Sequence, residues 1–117
     1  EQRLGIRPTN DVDGCLQDIH WAVGSFGYFP SYALGAVIAA QLYDSLRNDV
    51  PALDEQLALG EFSGLFGWLR THVHGLGAKV PIQELLKAAT GKPLSATSFI
   101  RYVEAKYLEN LESSAAA

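Results

Sequence analysis

Asp11-Val12-Asp13-Gly14-Cys15-Leu16-Gln17-Asp18-Ile19-His20-Trp21-Ala22-Val23 is the stretch from which the rest of the chain is read. At about 100° per residue, Val12, Cys15, Leu16, Ile19, Ala22 and Val23 share one face, which predicts an amphipathic helix from Asp11 to Val23. Asn10 or Asp11 can cap its start, and acids in the first turn suit the helix dipole. Gly24 suits the position just past its end. The opposite face holds Gly14, Gln17, Asp18, His20 and Trp21. A solvated face normally shows Lys, Glu and Arg, and this face shows none of them. Amide, carboxylate, imidazole and indole groups make directional hydrogen bonds and pack in confined places. Such a face lines a cleft or joins a buried polar network between helices.

The same helical spacing continues outward. Ser25–Ser31 is an aromatic loop, and Pro30 suits the first turn of a helix over Ser31–Arg47. That helix is apolar almost all round, which predicts a central position. Shorter helices are expected at Pro51–Leu59, Glu61–His74 and Pro81–Ala89, closed by Gly60, by Gly75 and Gly77, and by Gly91 with Pro93. The Glu61–His74 stripe is Phe62, Leu65, Phe66, Leu69 and Val73. Ser95 can cap a last helix over Ala96–Leu111, where Phe99, Val103, Tyr107 and Leu111 align. The expectation is an all-α chain of about six helices, with a helical part over residues 1–112 and a frayed tail at 113–117.

Composition narrows the function classes. The 117 residues suit one domain. Nine Lys and Arg against thirteen Asp and Glu give a net charge of −4, a poor footprint for nucleic acid. No apolar run approaches the ~18 residues of a membrane span. The single cysteine, Cys15, makes no internal disulfide and reads as a small buried hydrophobe in a reducing, cytoplasmic setting. The chain contains no methionine and opens Glu1-Gln2-Arg3, which suggests a piece of a longer protein.

Few side chains fit a recognised chemistry by spacing alone. His72-x-His74 would point two rings apart on a helix, a poor metal chelate. Gly24-Ser25-Phe26-Gly27 lacks the lysine of a phosphate loop. No serine sits in a nucleophile elbow. His20 has no second ligand on its face, but a lone His can donate a hydrogen bond to a developing oxyanion. Asp18, two residues away, would lie about 200° round a regular helix and would not orient the His20 ring. Arg7 reads as a solvated loop residue, with contact to a substrate carboxylate as the alternative.

Gly14-Cys15-Leu16-Gln17-Asp18-Ile19-His20-Trp21 resembles the G-x-x-Q-D-x-H-W motif of the carboxypeptidase Taq family of thermostable metallocarboxypeptidases, with all five specified positions matched. Phe26-Gly27-Tyr28-Phe29-Pro30-Ser31-Tyr32-Ala33-Leu34-Gly35 resembles the family's next segment. So do Gly60-Glu61-Phe62, Trp68-Leu69-Arg70, Ala89-Thr90-Gly91 and Lys106-Tyr107. The likeness runs along nearly the whole chain and corresponds to the C-terminal part of such an enzyme. It implies the helical zinc peptidase architecture shared with neurolysin and angiotensin-converting enzyme. It also implies removal of single residues from peptide C-termini, with zinc or cobalt as cofactor. The family holds its metal with an H-E-x-x-H helix and a downstream Glu, and this sequence contains no H-E-x-x-H.

The resemblance therefore implies one wall of an active site, with the metal held by an upstream half of the same protein and the fragment inactive alone. His20 and Tyr28 are the expected oxyanion donors. Gln17, Asp18 and Trp21 are expected to support His20, and Tyr32 competes with Tyr28 for the carbonyl. The implied partners are a peptide substrate and the metal-binding half, and homodimers are common in the family. The alternative is a non-catalytic helical interaction module built on the Gln17/Trp21 face. Leu16 and Ile19 are expected to pack against the Tyr32–Leu46 helix. Trp21 is expected to be left exposed or covered by a second copy.

Overall fold

Apolar residues recur at three- and four-residue spacing, and Gly or Pro falls near the breaks, so the chain folds as helices. The computed structural model describes residues 5–108. Among them are six α-helices and no strand: α1 (Ile19–Ala22), α2 (Pro30–Asp49), α3 (Leu53–Ala58), α4 (Ser63–Leu69), α5 (Ile82–Thr90) and α6 (Thr97–Tyr107). Short 3₁₀ turns occupy Cys15–Gln17 and Gly77–Lys79, and α4 runs into a π-helical turn at Arg70–His74. The described residues form two compact units that divide between Ala33 and Leu34. Leu111 and the 113–117 tail lie outside the described residues.

The continuous helix expected over Asp11–Val23 does not form. Asn10 and Asp13 capture the backbone first: Asn10 Oδ1 accepts the Asp13 N–H at 2.9 Å, and the Asn10 amide donates to Asp13 Oδ2 at 2.8 Å. Short polar side chains compete with helix in this way. A 3₁₀ turn follows, and Asp18 is extended, with φ −86° and ψ 115°. Asp18 then caps α1 by accepting the His20 N–H. The apolar face of the expected helix stays open: Val12, Leu16 and Ile19 are 62%, 68% and 67% exposed. Leu16 and Ile19 are thus not the buried pair the periodicity suggests, and Cys15 is exposed rather than buried.

Residues 34–108 hold the core. Leu46 of α2, Leu53 of α3, Trp68 of α4 and Ala89 of α5 are buried together. Leu42, Val50, Leu57, Leu65, Leu69 and Val73 pack around them. The Trp68 indole donates to Asp49 Oδ2 at 2.7 Å, which pins α4 to the end of α2. Its ring stacks on His72 at 4.5 Å, and His72 Nδ1 lies 3.0 Å from the Trp68 carbonyl. His72 is therefore engaged with its own helix. The stripe read from sequence is half right, since Phe62 and Phe66 are 46% and 57% exposed while Trp68 lies inside.

α2 is less central than its composition predicts, because only Gln41 and Leu46 are buried on it. Gln41 acts as a clamp. Its amide nitrogen donates to Thr90 Oγ1 at 3.1 Å and to the Pro93 carbonyl at 2.9 Å. Its amide oxygen accepts the Ser95 N–H at 3.0 Å. These bonds tie the α5–α6 connection to α2. Gly91 closes α5 in the left-handed conformation, with φ 70°, as the sequence predicts. The last helix starts one residue later than expected, with Ala96 rather than Ser95 in the cap position, although the Ser95 hydroxyl still accepts the N–H of Thr97 at 3.3 Å.

Leu53 is 1% exposed at the centre of this cluster. Leu53→Ala is expected to lower the unfolding free energy by about 2–5 kcal/mol, measured by urea denaturation. A loss under about 1 kcal/mol would show that the α2–α4 cluster is not the core.

Candidate active site

The site grows from the break at Asp18. Had α1 begun earlier, residues 18 and 20 would face apart. Because Asp18 is extended and caps the helix, its Oδ1 meets both groups of His20. It accepts the backbone N–H at 2.9 Å and lies 2.7 Å from the ring Nδ1. This corrects the expectation that Asp18 would not orient His20. The other ring nitrogen, Nε2, lies 3.1 Å from the Tyr32 hydroxyl.

Aromatic rings surround the imidazole. Phe29 lies 4.6 Å from it, Tyr28 stacks at 5.6 Å with 20° between planes, and Tyr32 meets it edge-on at 5.6 Å. Tyr28 and Tyr32 contact each other edge to face at 5.4 Å. The loop before α2 holds this shape because the Ser31 hydroxyl donates to the Tyr28 carbonyl at 2.6 Å. Asp18 and His20 side chains are 18% and 20% exposed, so both are largely screened from water. No hydrogen bond engages the Tyr28 hydroxyl among the described residues, and Tyr28 is 52% exposed.

Gln17 and Trp21 do not support His20 as expected. The Gln17 amide donates to the Val12 carbonyl at 2.6 Å and braces the preceding turn. Trp21 packs edge-on against Phe26 at 5.6 Å and is 66% exposed, in line with the expectation that it is left uncovered. A Cβ at Gly14 would come within 3.1 Å of Pro8 and 3.2 Å of the Asn10 carbonyl, so a side chain there would push these neighbours back by a few tenths of an ångström. Arg7 is exposed. Phe29 is the site residue that periodicity missed; its one signal is a place in the aromatic run before Pro30. Among the described residues no group of three or more His, Cys, Asp or Glu side chains could hold a metal ion.

Burial pushes the Asp18 carboxyl up, but the His20 backbone N–H, ring hydrogen bond and ring charge outweigh it and hold the carboxyl below 3.8. A carboxyl with a lower folded than unfolded pKa stabilises the folded form above its unfolded value. That contribution is lost as pH falls from 3.8 through the lower folded value. A carboxyl-carbon NMR titration is expected to give Asp18 a midpoint below 3.8. A midpoint at or above that value would mean that the contact with His20 is absent in solution.

Residues 1–107 match the sequence profile of a family described as carboxypeptidase Taq (M32) metallopeptidase. Thermostable carboxypeptidase 1 of Pyrococcus furiosus is 47% identical over 108 residues, covering 92% of this chain and 22% of its own length. Carboxypeptidase 1 of Bacillus subtilis is 46% identical, covering 89% of this chain and 21% of its own. The crystal structure of the M32 carboxypeptidase from Deinococcus radiodurans superposes with a TM-score of 0.84 at 41% identity, over 93% of this chain and 22% of that one. Trypanosoma cruzi metallocarboxypeptidase 1 gives a TM-score of 0.85 at 36% identity, over 89% and 22%. The chain therefore spans about a fifth of the length of these relatives. The all-helical architecture and the match along 107 residues lead to one conclusion: this chain belongs to the carboxypeptidase Taq (M32) metallopeptidase family.

Proposed function

We propose that the whole protein is a metal-dependent carboxypeptidase that removes single residues from peptide C-termini. In this reading the chain supplies the wall of the active site that receives the developing oxyanion. The supporting observation is the His20 cluster: an imidazole braced by Asp18 and Tyr32, beside a Tyr28 hydroxyl free of hydrogen bonds among the described residues. The metal, zinc or cobalt, would be held by side chains outside this chain. The setting would be cytoplasmic, and a homodimer is compatible with the family. No described helix is long and apolar enough to cross a membrane.

The chemistry assigned to this wall is electrostatic. As water adds to the scissile carbonyl, negative charge gathers on its oxygen. The C–N bond then breaks, the water oxygen stays in the new carboxylate and the leaving amine takes a proton. A donor already aimed at that oxygen stabilises the charge without reorganising at the moment of reaction. Tyr28 is a ready donor. His20 donates through Nε2 when its ring is protonated, since Asp18 occupies Nδ1.

In the full-length enzyme, His20→Ala and Tyr28→Phe are each expected to lower kcat by roughly 10²–10³-fold, with KM within about twofold. Near-normal kcat with a raised KM in both variants would overturn the oxyanion assignment. The chain by itself is expected neither to hydrolyse peptides nor to bind zinc tightly. A ligand present at 100 times its dissociation constant adds about 2.7 kcal/mol of stability. A clear rise in melting midpoint with micromolar zinc would contradict the second expectation.

A further inference from the structure

We propose that Asp18 is the positioning residue of this site: its carboxylate locks His20 in the Nδ1–H tautomer and aims Nε2 at the Tyr32 hydroxyl, leaving Tyr28 as the free donor. The proposal rests on the oxyanion reading of the His20 cluster and deepens it. An ionised carboxylate only accepts hydrogen bonds, so an Nδ1 at 2.7 Å from Asp18 Oδ1 carries the proton. A neutral ring then has a bare lone pair at Nε2, and Tyr32 O–H donates to it across 3.1 Å. In the protonated ring the direction reverses, and Nε2–H donates to the Tyr32 oxygen. Tyr32 thus holds Nε2 in the resting cluster and a developing oxyanion would displace it to reach the ring, whereas the Tyr28 hydroxyl has no competing bond among the described residues.

Three further features point to Asp18 as a residue given over to this task. Its Oδ1 accepts both the backbone N–H and the ring of the same residue, so one oxygen sets the direction of the side chain and of its target. Its Oδ2 is buried without a partner, so the hydrogen bonds of this carboxylate go to His20 alone among the described residues. Phe29 at 4.6 Å and Tyr28 at 5.6 Å press on the imidazole and oppose a ring flip. A positioned side chain loses much of its effect when misplaced by about 1 Å, which can cost on the order of 100-fold in rate.

The test uses the full-length enzyme with nitrogen-15 in its histidines only. The His20 signals are assigned by their disappearance in His20→Ala. For neutral His20, Nδ1 is expected at the protonated shift and Nε2 at the lone-pair shift. Asp18→Ser keeps a capping hydroxyl for the His20 N–H but cannot hold the ring. It is expected to move the proton toward Nε2 and to lower kcat by about 10- to 100-fold, with KM within about twofold. Tyr32→Phe is expected to leave the tautomer unchanged. An Nε2–H tautomer in the wild type, or an unchanged His20 spectrum in Asp18→Ser, overturns the proposal. Normal kcat in His20→Ala, with the tautomer as expected, overturns the oxyanion reading and with it the catalytic purpose assigned to Asp18.

Discussion

One carboxylate oxygen, Asp18 Oδ1, organises the candidate site. By taking the His20 backbone N–H it starts a new helix, and by taking the ring Nδ1 it sets where the imidazole points. The two bonds require each other. The ring contact at i, i+2 exists only because the backbone at Asp18 is extended, and the extended backbone is stabilised by the capping bond. Tyr32, Tyr28 and Phe29 then close round a ring whose orientation is already decided.

The energetics explain why the break wins over a continuous helix. Gly14 costs about 1 kcal/mol in a helix interior, and each Asp costs several tenths more. An amphipathic helix normally offsets such costs by burying its apolar stripe. Here that stripe is not buried, with Leu16 and Ile19 about two-thirds exposed. Local side-chain bonds from Asn10, Asp13 and Asp18 to the backbone favour the break. The helical periodicity of 11–23 was real, but periodicity predicts a helix only where tertiary burial supports it.

Residues 34–108 follow the opposite rule. Their helices are held by shared burial of Leu46, Leu53, Trp68 and Ala89, with polar bonds added at long sequence separation. Gln41 bonds Thr90, Pro93 and Ser95, some fifty residues away. A glutamine in an apolar helix is easily read as a surface residue. It is buried here with its own amide satisfied, donating to Thr90 Oγ1 and the Pro93 carbonyl and accepting the Ser95 N–H. Trp68 likewise carries a polar handle into the core, and Asp49 receives it.

The sequence alone determined the helical class, the positions of α2 to α6 within a few residues, and the closing glycine of α5, because these depend on local spacing and on backbone conformations few residues adopt. It also marked Asp18 and His20 through the G-x-x-Q-D-x-H-W motif, and Tyr28 and Tyr32 through the resemblance of the segment that follows it. Only the tertiary structure decided how these residues meet. It separated Gln17 and Trp21 from the imidazole, brought Asp18 onto it, gave Tyr32 rather than Tyr28 the bond to Nε2, and added Phe29 to the cluster. The physical reason is a single residue's ψ. Side-chain direction on a helix follows from sequence spacing, but Asp18 leaves the helical region, and one such rotation redirects every side chain that precedes it relative to those that follow.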